Sequence, residues 1–238
     1  MKKILSSDNP TYKYLEHLKL KKYRDESNEF LVFGEDIINE ARRSANLKYC
    51  FCLEGYEEKY PEVELVLAKS LFFNLQGTQD HFLGALVTKN PAKPQNDKIL
   101  ILDEVQDPSN VGMLLRSALS FGFTTVVRSK GCSDFYNEKT IKASKGALFH
   151  LNLLQKDLEI YLEELFLQQY SILISEVSPH NSPLPKLKKI ALVLGNEGRG
   201  IQPPLKKAHY LKIHLQTQDF DSLNVAVAGS ILMWDLLK

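Results

Sequence analysis

The sequence predicts an α/β protein: a mostly parallel sheet with helices on both faces over residues 99–238, preceded by a smaller α/β module over residues 1–90. Three observations predict it. Past residue 98, short apolar runs alternate with amphipathic stretches of helix length, the pattern of strands joined by helical crossovers. The run Ile190-Ala191-Leu192-Val193-Leu194 is apolar throughout and ends directly in a glycine-rich loop. Between the two parts lies a polar stretch at residues 91–98, following Asn90 and holding Pro91 and Pro94, with separate apolar periodicity on either side.

In the first part the spacing predicts a basic helix over 10–23, a strand at 30–33, a helix at 36–45, and strands near 49–53, 65–68 and 83–87. Residues 1–24 hold seven Lys or Arg against Asp8 and Glu16, although the whole chain of 238 residues carries a net charge of only +1. A local cationic excess of this kind fits a polyanion partner. Lys13, Lys19, Lys21, Lys22 and Arg24 stand among Tyr12, Tyr14 and Tyr23, a mixture suited to phosphate pairing and base stacking. A solvated helix face with tyrosines packed beneath it explains the same residues equally well.

In the second part strands are expected at 99–102, 124–128, 172–175, 190–194 and 210–213. Helices are expected at 110–121, 138–147, 158–169 and 222–237. Ligands of such sheets sit beyond the carboxyl ends of the strands, which directs attention to the loops after Leu102, Leu194 and Ile213.

Composition excludes several classes. Hydrophobic residues at 44% and charged residues at 25% are ordinary globular usage. The basic start at Met1-Lys2-Lys3 runs into Ser6-Ser7-Asp8-Asn9 where an export signal needs an apolar segment, and no apolar run approaches the roughly 20 residues that cross a bilayer. A soluble, cytoplasmic protein is expected. Cys50, Cys52 and Cys132 match neither a disulfide framework nor a zinc spacing, and the six histidines lack i, i+4 pairing, so reduced structural thiols and no metal are expected.

The loop 103–110 ends with Ser109 or Asn110 placed to cap a helix whose apolar stripe is Val111, Leu114, Leu115, Ala118 and Leu119, with Arg116 off the stripe. The loop Gly195-Asn196-Glu197-Gly198-Arg199-Gly200 allows close backbone approach to a ligand. Its spacing is the reverse of the dinucleotide fingerprint, and no helix opens after it, which speaks against a nicotinamide oxidoreductase. Glu197 is a charged carboxylate in that loop. Before the last helix stands Asp221-Ser222-Leu223-Asn224, where Asp221 or Ser222 can cap a helix start that attracts anions.

The runs D-P-S-N-V-G-M-L-L-R-S-A-L-S-F-G, L-V-L-G-N-E-G-R-G-I and S-L-N-V-A-V-A-G-S-I resemble, in order and spacing, the three motifs of the SpoU/TrmH family of SPOUT RNA methyltransferases. The segment K-A-S-K-G-A-L-F-H at 142–150 resembles that family's additional segment. The resemblance spans nearly all of 99–238, and the basic front module is loosely similar to the family's RNA-binding domain.

It implies transfer of a methyl group from S-adenosylmethionine to a ribose 2′-oxygen of rRNA or tRNA, by a homodimer whose carboxy-terminal chain is tucked into a trefoil knot. Knots are rare enough that periodicity alone never suggests one. It implies a cofactor resting on Leu194, Gly195, Asn196, Gly198, Ile213, Leu215 and Leu223, and a catalytic set of Arg116, Asn110, Glu197, Ser222 and Asn224. Arg116 is the family's proposed proton acceptor. Because a guanidinium stays protonated in water, that role requires burial; otherwise Arg116 is a clamp on the neighbouring phosphate while another group takes the proton. Asn110 and Glu197 are expected to orient Arg116. The chain departs from the family pattern at Ile213-His214-Leu215, where Ile-Pro-Met is usual, and in a longer, glycine-free 216–221.

Lys139, Lys142 and Lys145 recur every three residues, with Arg128 and Lys130 nearby; they extend a phosphate track or form a solvated helix face. Ile231, Leu232, Trp234 and Leu237 serve a dimer interface or an internal core. An RNA-binding or ribosome-assembly protein that keeps the fold without methyl transfer is the principal rival.

Overall fold

A computed structural model describes the chain except for residues 92, 178–186, 216–222 and 238. It separates into two compact units, Met1–Asn90 and Pro91–Lys238.

In the first unit, β1 (Lys2–Ile4), α1 (Pro10–His17), α2 (Lys21–Ser27), β2 (Glu29–Phe33), α3 (Glu35–Arg43), β3 (Leu47–Leu53), β4 (Leu65–Leu67), α4 (Lys69–Gln76) and β5 (Leu83–Thr88) follow in order. The sheet runs β1-β4-β3-β5-β2, parallel across its first three strands and antiparallel across the rest. Tyr12, Leu15 and Leu18 pack with Phe51, Leu67 and Phe72 to form its core.

The single basic helix expected over 10–23 is two helices. Asn9 caps the first, its side chain accepting from the Thr11 amide at 2.9 Å, and Pro10 fills the position where no amide is needed. The chain then turns at Leu18, which is buried, and Leu20 is extended. Arg24 bridges the break, donating to the carbonyls of Leu18 at 2.9 Å and Lys19 at 2.7 Å, which the helix end leaves unpaired. Two further elements had no expectation. β1 is only three residues long, and α4 follows Ala68, which offers no side-chain cap. Gly77, left-handed at φ 73°, ends α4 and was its one sequence signal.

The second unit contains β6 (Lys98–Leu102), α5 (Pro108–Ser120), β7 (Thr125–Arg128), α6 (Glu138–Ser144), β8 (Asn152–Gln155), α7 (Leu158–Leu167), β9 (Ser171–Val177), β10 (Ile190–Leu194), β11 (Leu211–Leu215) and α8 (Val225–Asp235). The described sheet runs β11-β9-β10-β6-β7-β8, and every pairing is parallel. Only β8 was not expected. It is a four-residue edge strand with polar ends.

Alternation along the strands sorts the core into two layers. Ile99, Ile101, Ala191 and Val193 pack against Leu158, Leu162 and Leu165 of α7. Leu194 takes the other face, beneath α8. At Gly229 of α8 an added Cβ would lie 2.4 Å from Leu194 Cδ1 and 2.7 Å from Leu114 Cδ2, so the helix approaches the sheet through a missing side chain.

Chain order reverses between β10 and β6: from β6 the chain winds outward through β7 and β8, while β9 and β11 lie beyond β10. The crevice beyond the carboxyl ends of β6 and β10 is therefore where a ligand is accommodated in this kind of sheet.

Candidate active site

Two loops meet at that crevice. The amide of Asp103, just past β6, donates to the carbonyl of Leu194, the last residue of β10, at 2.8 Å. Asn196 Nδ2 donates to the carbonyl of Glu104 at 2.9 Å, while its Oδ1 accepts from the amides of Gly198 at 2.9 Å and Arg199 at 3.0 Å. Asn196 and Gly200 exchange backbone hydrogen bonds at 3.1 and 2.9 Å, closing the glycine loop into a tight hairpin. A Cβ on Gly195 would lie 2.4 Å from the carbonyl carbon of Gly200, so this closure requires glycine there.

The buried carboxylate of Asp103 accepts from the Gln202 amide at 2.7 Å and from Gln202 Nε2 at 3.0 Å. Burial raises its pKa, against the Gln202 hydrogen bonds, which pull the other way. Arg199 and Glu104 pair at 3.6 Å across the mouth of the loops.

The helix caps differ from expectation. Asp107, followed by Pro108, caps α5 by accepting from the Ser109 amide at 2.7 Å. Asn110 is thereby released into the first turn, where it is buried. Asn224 caps α8, its Oδ1 accepting from the amides of Ala226 at 2.9 Å and Val227 at 3.3 Å. An asparagine oxygen suffices for capping, which leaves the amide of the same side chain free to donate elsewhere. Ser222 and Asp221, the expected caps, lie outside the described residues.

These three segments converge in one line of side chains. Asn224 Nδ2 donates to Asn110 Oδ1 at 2.9 Å, and Asn110 Nδ2 donates to Glu197 Oε1 at 2.9 Å. Residues from three separate loops thus share a directed hydrogen-bond chain that ends on a carboxylate.

The pairing of Glu197 with Arg116 expected from the sequence is not formed. Asn110 holds Glu197 instead. Arg116 lies almost two turns further along α5, exposed in a shallow groove with Met113, Ser117, Val227 and Ile231. Among the described residues its guanidinium takes part in no hydrogen bond or ion pair.

A cavity of about 470 Å³ opens beside Glu197. Leu194, Gly195, Asn196, Gly198, Leu215 and Leu223, expected at a cofactor site, all line it. Ile213 does not; it is buried on β11. Val225, Ala228 and Leu232 of α8 complete an apolar wall, and Ser175, Glu176 and Lys206 form a polar end that sequence reading missed. Nothing in the sequence marked Glu176: it is the penultimate residue of β9, and only the pairing of β9 between β10 and β11 brings it to the crevice.

The cationic candidates divide. Arg24 is withdrawn from any phosphate contact, because it is buried and spent on the carbonyls between α1 and α2. Arg128 is likewise buried, bonded to Gln155 Oε1 at 2.6 Å and to the Cys132 carbonyl at 3.2 Å. Lys145 leaves the helical row at φ 50°, after Lys142. Lys13 pairs with Asp8 at 3.0 Å, Lys21 with Asp25, and Lys22 with Glu26 at 3.9 Å, while Lys19 donates to the Asn74 carbonyl at 2.7 Å. All four are exposed, as is Lys142. Tyr12 is in the core and receives a hydrogen bond from Asn74 at 2.7 Å; Tyr14 donates to Glu29. Cys50, Cys52 and Cys132 are buried thiols, and no described cluster of His, Cys, Asp or Glu has the makings of a metal site. No described helix is long and apolar enough to cross a membrane.

Several known proteins resemble this chain in sequence and fold. The 23S rRNA (guanosine(2553)-2′-O)-methyltransferase RlmP of Bacillus subtilis is 30% identical over 99% of both chains. A solved structure from Porphyromonas gingivalis, assigned to the TrmH family of RNA methyltransferases, is 29% identical with a TM-score of 0.80 over 98% of each chain. An rRNA methyltransferase structure from Sinorhizobium meliloti, 19% identical, has the same fold at a TM-score of 0.83 over 98% of this chain and 96% of that one. The profile of the SpoU rRNA Methylase family matches residues 97–234, the span that holds all three converging loops, and the chain belongs to that family.

Proposed function

We propose that the protein is an S-adenosylmethionine-dependent RNA methyltransferase that methylates a ribose 2′-oxygen of rRNA, with 23S rRNA as the substrate suggested by the full-length relative. The observation that carries this reading is the line Asn224, Asn110, Glu197 at the wall of an apolar cavity. Volume and lining suit the cofactor, because clefts of roughly 300–1,000 Å³ with apolar walls and a few fixed polar groups hold ligands of that size. When bound, S-adenosylmethionine supplies an activated methyl group on a sulfonium. The protein's own contribution is alignment and proton removal.

Leu194, Gly195, Asn196, Gly198, Leu215 and Leu223 form the cofactor surface, and Ile213 stands buried on the same strand as Leu215. Asn110 fixes one oxygen of Glu197, and the other accepts no hydrogen bond among the described residues. That second oxygen is the acceptor for the hydroxyl proton. Arg116, exposed and cationic on the same helix, clamps the phosphate next to the reacting ribose; its exposure speaks against the dehydration that a base role needs. Asn224 and Ser222 bind the ribose or phosphate at the start of α8.

RNA is further held by Lys142 and by Lys13, Lys19, Lys21 and Lys22 of the first unit, taken as the RNA-binding domain of residues 1–90 and joined through 91–98 to the catalytic domain of 99–238. Exposed ion pairs such as those of Lys13, Lys21 and Lys22 are worth about 0–1 kcal/mol, so a phosphate displaces the carboxylate at little cost. The homodimer and the trefoil knot belong to the same reading. Val227, Ile231 and Trp234 leave an apolar strip on α8, and that helix returns from the edge strand β11 to pack over β10 and α5, as a tucked chain does. We place the enzyme in the cytoplasm, with ribosomes. The test is transfer of labelled methyl from S-adenosylmethionine to rRNA from a strain lacking the protein. Failure to bind the cofactor at millimolar concentration refutes the enzyme and leaves an RNA-binding role.

A further inference from the structure

Glu176 stands at the polar end of the cavity and is absent from the three motifs. It is the penultimate residue of β9, so its carboxylate emerges at the carboxyl end of the sheet, in the wall that the cofactor is proposed to meet. Two lysines flank it: Lys212 Nζ at 3.0 Å from Oε2 and Lys206 Nζ at 3.7 Å from Oε1. His214 lies opposite on β11 in the same register. Burial alone would raise the Glu176 pKa, yet the hydrogen bond from Lys212 and the nearby positive charges hold it below its ordinary value. The carboxylate is therefore ionised at neutral pH.

Among the described residues, Oε1 is approached only by a lysine beyond hydrogen-bond distance and accepts no hydrogen bond. An ionised acceptor facing a ligand cavity calls for a donor from the ligand. S-adenosylmethionine offers three kinds of donor. An ammonium group is disfavoured, because two lysines already balance this carboxylate and a third cation would be repelled. The adenine amine is attached to a flat ring whose faces need the apolar walls at the other end of the cavity. The vicinal ribose hydroxyls remain: neutral, paired, and at home beside an exposed lysine. A carboxylate at the end of a parallel strand that receives ribose hydroxyls also has a counterpart in dinucleotide-binding sheets.

Resting on the proposed function, the geometry points to Glu176 as the residue that takes the ribose hydroxyls of S-adenosylmethionine, with Lys206 and Lys212 holding it in place.

The test is calorimetric titration of the full chain with S-adenosylhomocysteine, with its 2′,3′-dideoxy analogue, and with 5′-methylthioadenosine, which keeps the diol but lacks the amino-acid end. Glu176→Gln should weaken S-adenosylhomocysteine and methylthioadenosine about tenfold each, the scale of one hydrogen bond to a charged group, and leave the dideoxy affinity unchanged. Glu176→Asp, which keeps the charge but shortens the reach, should show a smaller loss and guards against a folding defect in the first variant. Equal losses for parent and dideoxy ligand, or no loss for either, overturn the assignment. A loss shared by S-adenosylhomocysteine and its dideoxy analogue that spares methylthioadenosine moves Glu176 to the amino-acid end and overturns it too. If the wild-type chain binds none of the three ligands, the methyltransferase reading falls, and this assignment with it.

Discussion

Asn224 donates to Asn110 across 114 positions of sequence, at 2.9 Å, while the oxygen of the same Asn224 side chain caps α8. One amide group thus serves two purposes that substitution can separate. Asn224→Asp keeps the capping oxygen but removes the donor, so methyl transfer should fall at least 100-fold at an unchanged melting temperature. Asn224→Ala should lose both, with about 1 kcal/mol of stability from the cap. Transfer assays and thermal melts on the two variants check this, and a fully active Asn224→Asp enzyme would remove the relay from the mechanism.

Gly195 and Gly198 stand in one loop but should respond in opposite ways. A methyl at Gly195 meets the backbone of Gly200 and Ile201 at 2.4 Å, whereas at Gly198 its nearest neighbour is Asn196 Oδ1 at 3.7 Å. Gly195→Ala is expected to reduce S-adenosylhomocysteine affinity at least tenfold, since the hairpin has to open to admit the methyl. Gly198→Ala should stay within about threefold of wild type in the same titration.

Arg116 is exposed, so Arg116→Ala should leave the melting temperature and cofactor affinity unchanged. As a phosphate clamp it acts through RNA, and KM for RNA should rise about tenfold while the salt dependence of RNA binding becomes shallower by about one counterion. Arg116→Lys should recover part of the loss. If KM is untouched and only kcat collapses, the base role is the better one.

Glu163 receives Lys207 at 2.7 Å and the Tyr210 hydroxyl at 2.8 Å, tying α7 to the segment that leads into β11. The Lys207 hydrogen bond first, and Tyr210 second, hold its pKa below the ordinary 4.5. A carboxylate with a depressed folded value binds fewer protons folded than unfolded. Its stabilising contribution is therefore present above 4.5 and lost as the pH falls through the folded value. Glu163→Gln should melt below wild type at pH 7, and the gap should close as the solution is acidified past that range; a gap independent of pH would assign the effect to packing.

Trp234 and Val227 are 53% and 47% exposed on one helix, apolar surface that a second copy could cover. Sedimentation should find a dimer for the wild-type chain and a monomer for Trp234→Glu. A monomeric wild type at micromolar concentration removes the dimer from the proposal.

Most of the second unit's sheet could be read because its strands are apolar runs bounded by polar loops. The edge strand β8 escaped because Asn152 and Gln155 break its apolar run. Position in three dimensions was harder to read. The motifs named Asn110, Glu197 and Asn224, but the order of their bonding depends on Asp107 rather than Ser109 or Asn110 capping α5. Sequence favoured an Arg116 pairing because opposite charges attract; a buried asparagine next to the carboxylate takes precedence. Arg24 looked like a surface cation because helical periodicity ran straight through Leu18, where the chain turns. Glu176 had no local signal at all, since its neighbours at the cavity come from β11 and from the segment after the glycine loop.

The return of α8 over β10 has a consequence for how activity is acquired. Leu223, Val225, Ala228 and Leu232 supply one side of the cavity and Asn224 starts the relay, so the pocket has no far wall until the final helix docks. A nascent or prematurely terminated chain that stops before residue 223 retains all eleven described strands yet lacks the helix that walls the cavity. Docking of α8 therefore acts as a completion check, because the cavity gains that wall only when the helix has joined the sheet.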